Sequence, residues 1–278
     1  IQLTIGCSNN KCTYCDMYRS KNYRVRSLDE IFLDLNKAAE FYRSINREPD
    51  KIFLCDGDAL GAPMEILVGT LNYINKLWPS LRRIGVYATA ENILQKSEEE
   101  LSFLALKKLT IAYLGLESGD DKILHMIVKG NTSSEMEAAS LKIKNCGFKL
   151  STIAMLGVGG VKYSKQHIRN TAKLLSSTSP QFFSLLTTFA VAGTPYHKMV
   201  ERNLITPLTS KQLLQEMHDI IQLTEFNSNS IIFRANHVSN MHPIAGVLPK
   251  DRDRILQEIN HWISETPADI YPPRPQSM

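Results

Sequence analysis

Apolar runs rich in β-branched residues recur along the first two-thirds of the chain, and a segment of helical period follows each one. This alternation constrains the fold more than any other feature. The runs are 1–5, 51–55, 83–88, 109–116, 148–156 and 182–189. Between them Ile31, Leu35, Ala38 and Tyr42, then Ile66, Leu71, Ile74 and Trp78, and later Ile168, Ala172 and Leu175 fall at or near helical spacing. Ser27 with Glu30, Ser97 with Glu100, Thr132 with Glu135 and Thr209 with Gln212 have the form of capping boxes, which marks four helix starts. Strand and helix in regular alternation imply right-handed crossovers between parallel neighbours. Strands apolar along their whole length suit burial on both faces. Six such units are two short of an eightfold barrel. The predicted fold class is therefore α/β, a partial parallel (β/α)6 TIM-like barrel over residues 1–195. A C-terminal extension over 196–278 is expected to pack on the barrel without forming a clearly separate domain.

The extension breaks the rhythm. Gly193-Thr194-Pro195 reads as a turn, and Leu213, Met217 and Ile220 mark a helix. The run 231–235 reads as a strand entering a polar loop, 251–263 as a last helix, and 266–278, with four prolines, as a loose tail. The 278 residues are 43% apolar, enough to bury a core without disulfides. No apolar run approaches the ~20 residues of a bilayer span, and the first residues lack the basic and small-residue features of a signal peptide. The net charge of +4 is mild. A solvated surface accounts for it, with an anionic substrate or nucleic acid as the alternative partner class.

The chemistry concentrates in Gly6-Cys7-Ser8-Asn9-Asn10-Lys11-Cys12-Thr13-Tyr14-Cys15, which holds three of the five cysteines directly after the first apolar run. An odd count at short spacing is not a disulfide framework. Together with the isolation of Cys55 and Cys146, it points to a reducing cytoplasm. The three thiols have the pattern of metal ligands. Zinc would need a fourth ligand, for which Cys55 and His125 are candidates, and usually pairs two C-x2-C units where this chain has one. A cubane iron–sulfur cluster held by three thiolates leaves one iron open to a ligand that is not protein.

That loop resembles the signature of the radical S-adenosylmethionine (radical SAM) enzymes, usually C-x3-C-x2-C, here with Cys7 and Cys12 one residue further apart. The resemblance implies that Cys7, Cys12 and Cys15 bind a [4Fe–4S] cluster whose fourth iron takes the amine and carboxylate of S-adenosylmethionine (SAM), and Tyr14 fits the aromatic position before the last cysteine. Asp56-Gly57-Asp58 resembles the family's Gly-Gly-Glu segment, which implies that Asp58 meets the methionine amine. Gly115-Leu116-Glu117-Ser118-Gly119, followed by Lys129-Gly130, is similar to a stretch of the oxygen-independent coproporphyrinogen oxidases, which implies that an acidic or hydroxyl residue, Glu117 or Ser118, meets the ribose. The segment 157–160, beginning at Gly157, resembles the one that packs on the adenine.

The expected function is reductive cleavage of SAM to a 5′-deoxyadenosyl radical that abstracts hydrogen from a small-molecule substrate. An electron donor such as flavodoxin or ferredoxin is implied. A non-catalytic iron–sulfur or zinc protein is the alternative, and methyl transfer or porphyrinogen oxidation are alternative reactions. Residue by residue, Asp58 could instead cap the helix that follows it, and Glu117 could be an ion pair of the core. Arg234, Asn236, His237 and Asn240, clustered after an apolar strand, are candidates either for substrate contact or for ordinary loop bonding.

Overall fold

The computed structural model describes residues 1–226 and 230–274. Nineteen named strands and α-helices follow one another along those residues. The chain begins with β1 (Thr4–Ile5), β2 (Arg24–Val25), α1 (Leu28–Ser44) and β3 (Lys51–Leu54), then α2 (Met64–Leu77), β4 (Arg83–Ala88), α3 (Ala90–Gln95) and α4 (Glu98–Leu106). Next come β5 (Leu109–Glu117), α5 (Asp121–Met126), α6 (Ser133–Asn145), β6 (Lys149–Leu156), α7 (Gly160–Thr178) and β7 (Phe182–Thr187). The last are α8 (Pro195–Glu201), α9 (Ser210–Leu223), β8 (Ile231–Ala235), β9 (Ile244–Leu248) and α10 (Arg252–Glu265). Strands β3 to β9 hydrogen-bond in sequential order as one seven-stranded sheet. Pairing is parallel between β3 and β4, β4 and β5, β6 and β7, and β7 and β8, and β9 runs antiparallel to β8. The result is a mostly parallel α/β fold, and among the described residues the strands do not close into a ring.

Contacts divide the chain into two compact units. The first comprises 1–10, 17–114 and 138–150, the second 11–16, 115–137 and 151–278. In the first unit, Ile31 and Leu35 of α1 and Leu67, Leu71 and Ile74 of α2 are fully buried, as are Leu54, Ile84 and Val86 of the strands. Ser27 and Ser97 close complete capping boxes on α1 and α4. In the second unit α9 packs against both α7 and α10. Its buried stripe of Leu213, Leu214, Met217, Ile220 and Ile221 explains the helical period of that segment.

Four expectations change or gain detail. The run 1–5 is strand only at Thr4–Ile5, paired antiparallel with β2. Its backbone divides its bonds, because Gln2 bridges Cys55 in parallel while Leu3 O accepts from Arg26 N, so neither ladder extends. The run 231–235 is the strand expected, and it joins the sheet in parallel beside β7; β9 follows where Gly246 and Pro249 obscured the strand pattern. Gly193-Thr194-Pro195 is the turn expected, closed by Thr194 N donating to Val191 O, and it leads directly into α8, with Thr194 accepting from His197 N and proline at the first helical position. The tail is pinned where Ser210 N donates to Ile270 O at 2.7 Å; residues 275–278 lie outside the described residues. Among the described residues no helix is long and apolar enough to cross a membrane.

Candidate functional site

The first unit carries Cys7 and the turn after β3. Asp56 Oδ2 accepts three hydrogen bonds, from Gln2 Nε2 at 3.1 Å, Gly6 N at 3.1 Å and Lys21 Nζ at 2.9 Å. Burial raises the Asp56 pKa, but these donors outweigh it and hold the carboxyl below its usual value. Asp56 thereby staples the start of the cysteine loop to β3. Gly57 N donates to Gly6 O at 3.1 Å, and a Cβ on Gly57 would lie 2.8 Å from the Cys7 Cβ and 2.5 Å from the Tyr18 ring. Only glycine lets the loop approach so closely.

Asp58 is fully buried, and its Oδ2 accepts from Ser8 Oγ and from Asn92 Nδ2. It precedes a short 3-10 turn (Ala59–Gly61) without making a side-chain capping bond. The capping role open to it from sequence is therefore not the one its side chain performs. Nearby Tyr23 has its phenol pKa raised, first by burial and then by Asp58 and Cys7 beside it, so it keeps its proton. Ser8 and Asn92 are partners that the sequence did not single out. Asn92 gives no signal beyond its place just past a strand end, since Thr89 caps its helix.

The second unit carries Cys12, Tyr14, Cys15, Glu117, Ser118 and Gly157. Cys15 N donates to Cys12 O at 3.3 Å, a tight turn that brings two of the thiols to one bend. Tyr14 packs on Ile123, Leu124, Ile127 and Val158. Its phenol pKa is raised well above the ordinary value, first by burial, then by Glu117 and the neighbouring thiols, so its hydroxyl stays protonated and donates to Glu117. Glu117 is buried at a positive φ of 61°, and Lys129 Nζ donates to its Oε1 at 2.9 Å. A Cβ on Gly115 would collide with that carboxylate, which explains the glycine two residues earlier. Ser118 is fully buried, with its Oγ 2.8 Å from His167 Nδ1 and accepting from Asp120 N at 3.1 Å. Its hydroxyl thus braces the end of β5.

Gly157 has φ 74° and ends β6. Its N donates to Glu216 Oε1 at 2.6 Å, while Tyr196 Oη donates toward Gly157 O and Val158 O at 3.2 and 3.1 Å. Glu216 also accepts from Ser164 Oγ and lies 3.7 Å from His167 Nε2. Burial and the Glu216 charge raise the Tyr196 phenol pKa, which preserves it as a donor. A cavity of about 100 Å³ opens beside this turn, lined by Gly157, Thr188, Phe189, Tyr196, Leu213 and Pro272. Glu216 and Tyr196 were not identified from sequence. The available clue was a carboxylate set among the apolar positions of α9.

The cluster after β8 is bonded mainly to the end of β7. Asn240 Nδ2 donates to Leu185 O at 2.7 Å and Ala235 O at 3.0 Å, and its Oδ1 accepts from Thr187 Oγ1 at 2.9 Å. His237 Nδ1 lies 2.9 Å from Ser239 Oγ. Arg234 and Asn236 are exposed.

None of the five cysteines is in a disulfide, and those of the loop are half-buried. Among the described residues no three His, Cys, Asp or Glu side chains converge as the ligands of one metal ion. A cluster whose irons each take one thiolate spaces its sulfurs more widely than a single ion does. Three soft thiol donors, with a glycine that makes room beside one of them, fit an iron–sulfur cluster by their chemistry.

A family model described as the radical SAM superfamily matches residues 1–175. No curated protein matched the sequence. Among solved structures, Elp3 of the archaeon Methanocaldococcus infernus, lacking its N-terminus, is similar with a TM-score of 0.57 at 14% identity, over 84% of this chain and 59% of that one. SuiB of Streptococcus suis bound to S-adenosylmethionine gives 0.56 at 14% identity, over 85% and 50%. The enzyme anSMEcpe, with bound AdoMet and a peptide, gives 0.56 at 16% identity, over 79% and 57%. The chain thus spans between half and three-fifths of the length of these neighbours, and at such identities the likeness is one of fold.

Proposed function

The chain belongs to the radical SAM superfamily, and from that premise we propose that Cys7, Cys12 and Cys15 hold a [4Fe–4S] cluster, with SAM bound through Asp58, Glu117 and the Gly157 turn. Enzymes of this superfamily use that cluster and SAM. The chemistry that the bound pair supplies is one-electron cleavage of the sulfonium, giving methionine and a 5′-deoxyadenosyl radical that takes hydrogen from a substrate.

This chain's own residues hold and shield. Three thiolates leave one iron without a protein ligand. Asp58 offers a carboxylate fixed by Ser8 and Asn92 to the ammonium of SAM. Glu117, paired through one oxygen with Lys129, offers its second oxygen to a ribose hydroxyl, and Tyr14 aligns it. Gly157, held by Glu216 and Tyr196, presents a flat backbone to the adenine. Asp56 and Ser118 position rather than bind. Arg234 and Asn236 are the exposed pair nearest to a substrate role, with His237 and Asn240 fixing their loop. An external one-electron donor is required, and the substrate is a small molecule.

The observation that carries this reading is the span of the family match, which includes all three loop cysteines together with Asp58, Glu117 and Gly157. The test is anaerobic reconstitution with iron and sulfide, reduction by dithionite with SAM present, and mass-spectrometric detection of 5′-deoxyadenosine. Formation of the nucleoside is expected; its absence from a sample with full cluster absorbance would sink the reading. Cys12→Ala should lose the cluster absorbance, and an unchanged spectrum would mean that the ligands are others.

A further inference from the structure

In the first unit, the outer face of β3 and β4 is buried by Leu54, Ile84 and Val86. By strand alternation the opposite face carries Phe53, Gly85, Tyr87 and Tyr113. There Phe53, Tyr87 and Tyr113 form a triad. Their centroids are 4.7 Å (Phe53–Tyr87), 5.1 Å (Phe53–Tyr113) and 6.1 Å (Tyr87–Tyr113) apart, at interplanar angles of 76°, 76° and 71°. The register makes this possible, because Tyr87 sits opposite Tyr113 while Phe53 sits opposite Gly85. A Cβ on Gly85 would come within 3.1 Å of the Phe53 ring and 3.3 Å of the Tyr113 ring, so the glycine gives both rings room above β4.

The triad is not sealed into a core. Tyr87 is 37% exposed, and Phe53 and Tyr113 are half-buried. Among the described residues neither tyrosine hydroxyl has a hydrogen-bond partner. Burial, with Cys55, Tyr113 and Asp56 nearby, raises the Tyr87 phenol pKa, so the hydroxyl remains a donor. The triad also lies next to the proposed cofactor residues. Phe53 is five residues before Asp58, and Tyr87 is two before Thr89, which caps the helix bearing the Asn92 that holds Asp58.

We infer that these rings form the floor of the substrate site and that the substrate presents to it a planar, uncharged, unsaturated ring bearing hydrogen-bond acceptors. This rests on the proposed function for the placement of the cofactor. The geometry selects the class. An aromatic cage around a cation needs several ring faces standing apart, each centroid within about 6 Å of the charge; these three rings touch edge to face and leave no such gap. A polycarboxylate would need cations, yet the basic residues of this face, Lys51 and Arg83, lie exposed at the amino ends of their strands, and Lys21 is committed to Asp56. What remains is ring on ring, with two phenol donors for acceptor atoms.

The experiment is saturation-transfer NMR on the anaerobically reconstituted full chain with three probes at millimolar concentration. Nicotinamide is planar with acceptor atoms, cyclohexanecarboxamide carries the same amide on a puckered ring, and tetramethylammonium is a cation. Nicotinamide should bind best. Tyr87→Ala should weaken it about tenfold, and Tyr87→Phe, which keeps the ring, should weaken it less. Gly85→Ala, which pushes on the other two rings, should also weaken it. Each variant is first shown to melt as a folded protein. No nicotinamide binding, equal binding of the puckered amide, preference for the cation, or indifference of nicotinamide to both alanine variants overturns the inference. Wild-type 5′-deoxyadenosine is measured in the same samples. Its absence counts against the cofactor reading, whereas its presence with indifferent probe binding sinks the aromatic floor alone.

Discussion

Glu117 is the residue at which function and stability are hardest to separate. It is a buried carboxylate at a left-handed backbone position, two-thirds of the way along the family match, with Lys129 Nζ 2.9 Å from one oxygen. Both side chains are almost wholly enclosed, so neither charge is well screened by water. Removing one member of such a pair leaves an uncompensated buried charge, which costs about 3–5 kcal/mol. Lys129→Met should therefore destabilise the protein by about 3 kcal/mol in urea unfolding. Adding Glu117→Gln should restore much of that loss, since no unpaired charge then remains. If the double variant is no more stable than Lys129→Met alone, the two side chains are not coupled. The carboxylate was legible in the sequence because an apolar strand gives it no ordinary purpose. Its partner lies twelve residues on, beyond α5, and only the fold brings it back.

At the scale of elements, most of what the sequence disclosed came from short-range chemistry. The capping boxes at Ser27, Ser97 and Thr209 are all formed, because they depend on four consecutive residues and nothing else. What escaped was settled by distant partners. The first five residues divide their hydrogen bonds between two neighbours, and β8 joins the sheet beside β7 although more than forty residues separate them in sequence. Glu216 likewise reaches Gly157 from fifty-nine residues away. The turn after β3 gives the sharpest test at this scale. Gly57→Ala would drive a methyl against Tyr18 and the Cβ of Cys7, so the cysteine loop must move while the helices stay. Iron per chain after reconstitution should fall at least about threefold, with an unchanged far-UV spectrum. A loss of about 0.65 kcal/mol in holding the cluster is enough for that. Full iron loading in this variant would mean that the close approach is not needed.

Whole-molecule stability should depend on pH through a network inside the second unit. His167 of α7 is fully enclosed, with Nδ1 2.8 Å from Ser118 Oγ and 3.3 Å from Thr171 Oγ1, and Nε2 3.7 Å from Glu216 Oε1. Gln166 and Asn170 of the same helix hold Asp120 at 2.8 and 2.6 Å. The network thus ties the ends of β5 and β6 to α7 and α9. Burial lowers the His167 pKa below its ordinary value, and the charges of Glu216 and Asp120 only partly oppose it. The unfolded chain, with an imidazole pKa near 6.5, then binds a proton more readily than the folded one. By linkage the stability that His167 contributes is fully present above about pH 6.5 and is lost as pH falls toward its folded value. Melting temperature should drop between about pH 6.5 and 5 more steeply in the wild type than in His167→Gln, which has no proton to gain there. Carboxylates elsewhere titrate alike in both proteins, so the difference between the two curves isolates this one imidazole. Parallel curves would mean that His167 is protonated as easily inside the fold as outside it, with Glu216 offsetting its burial completely.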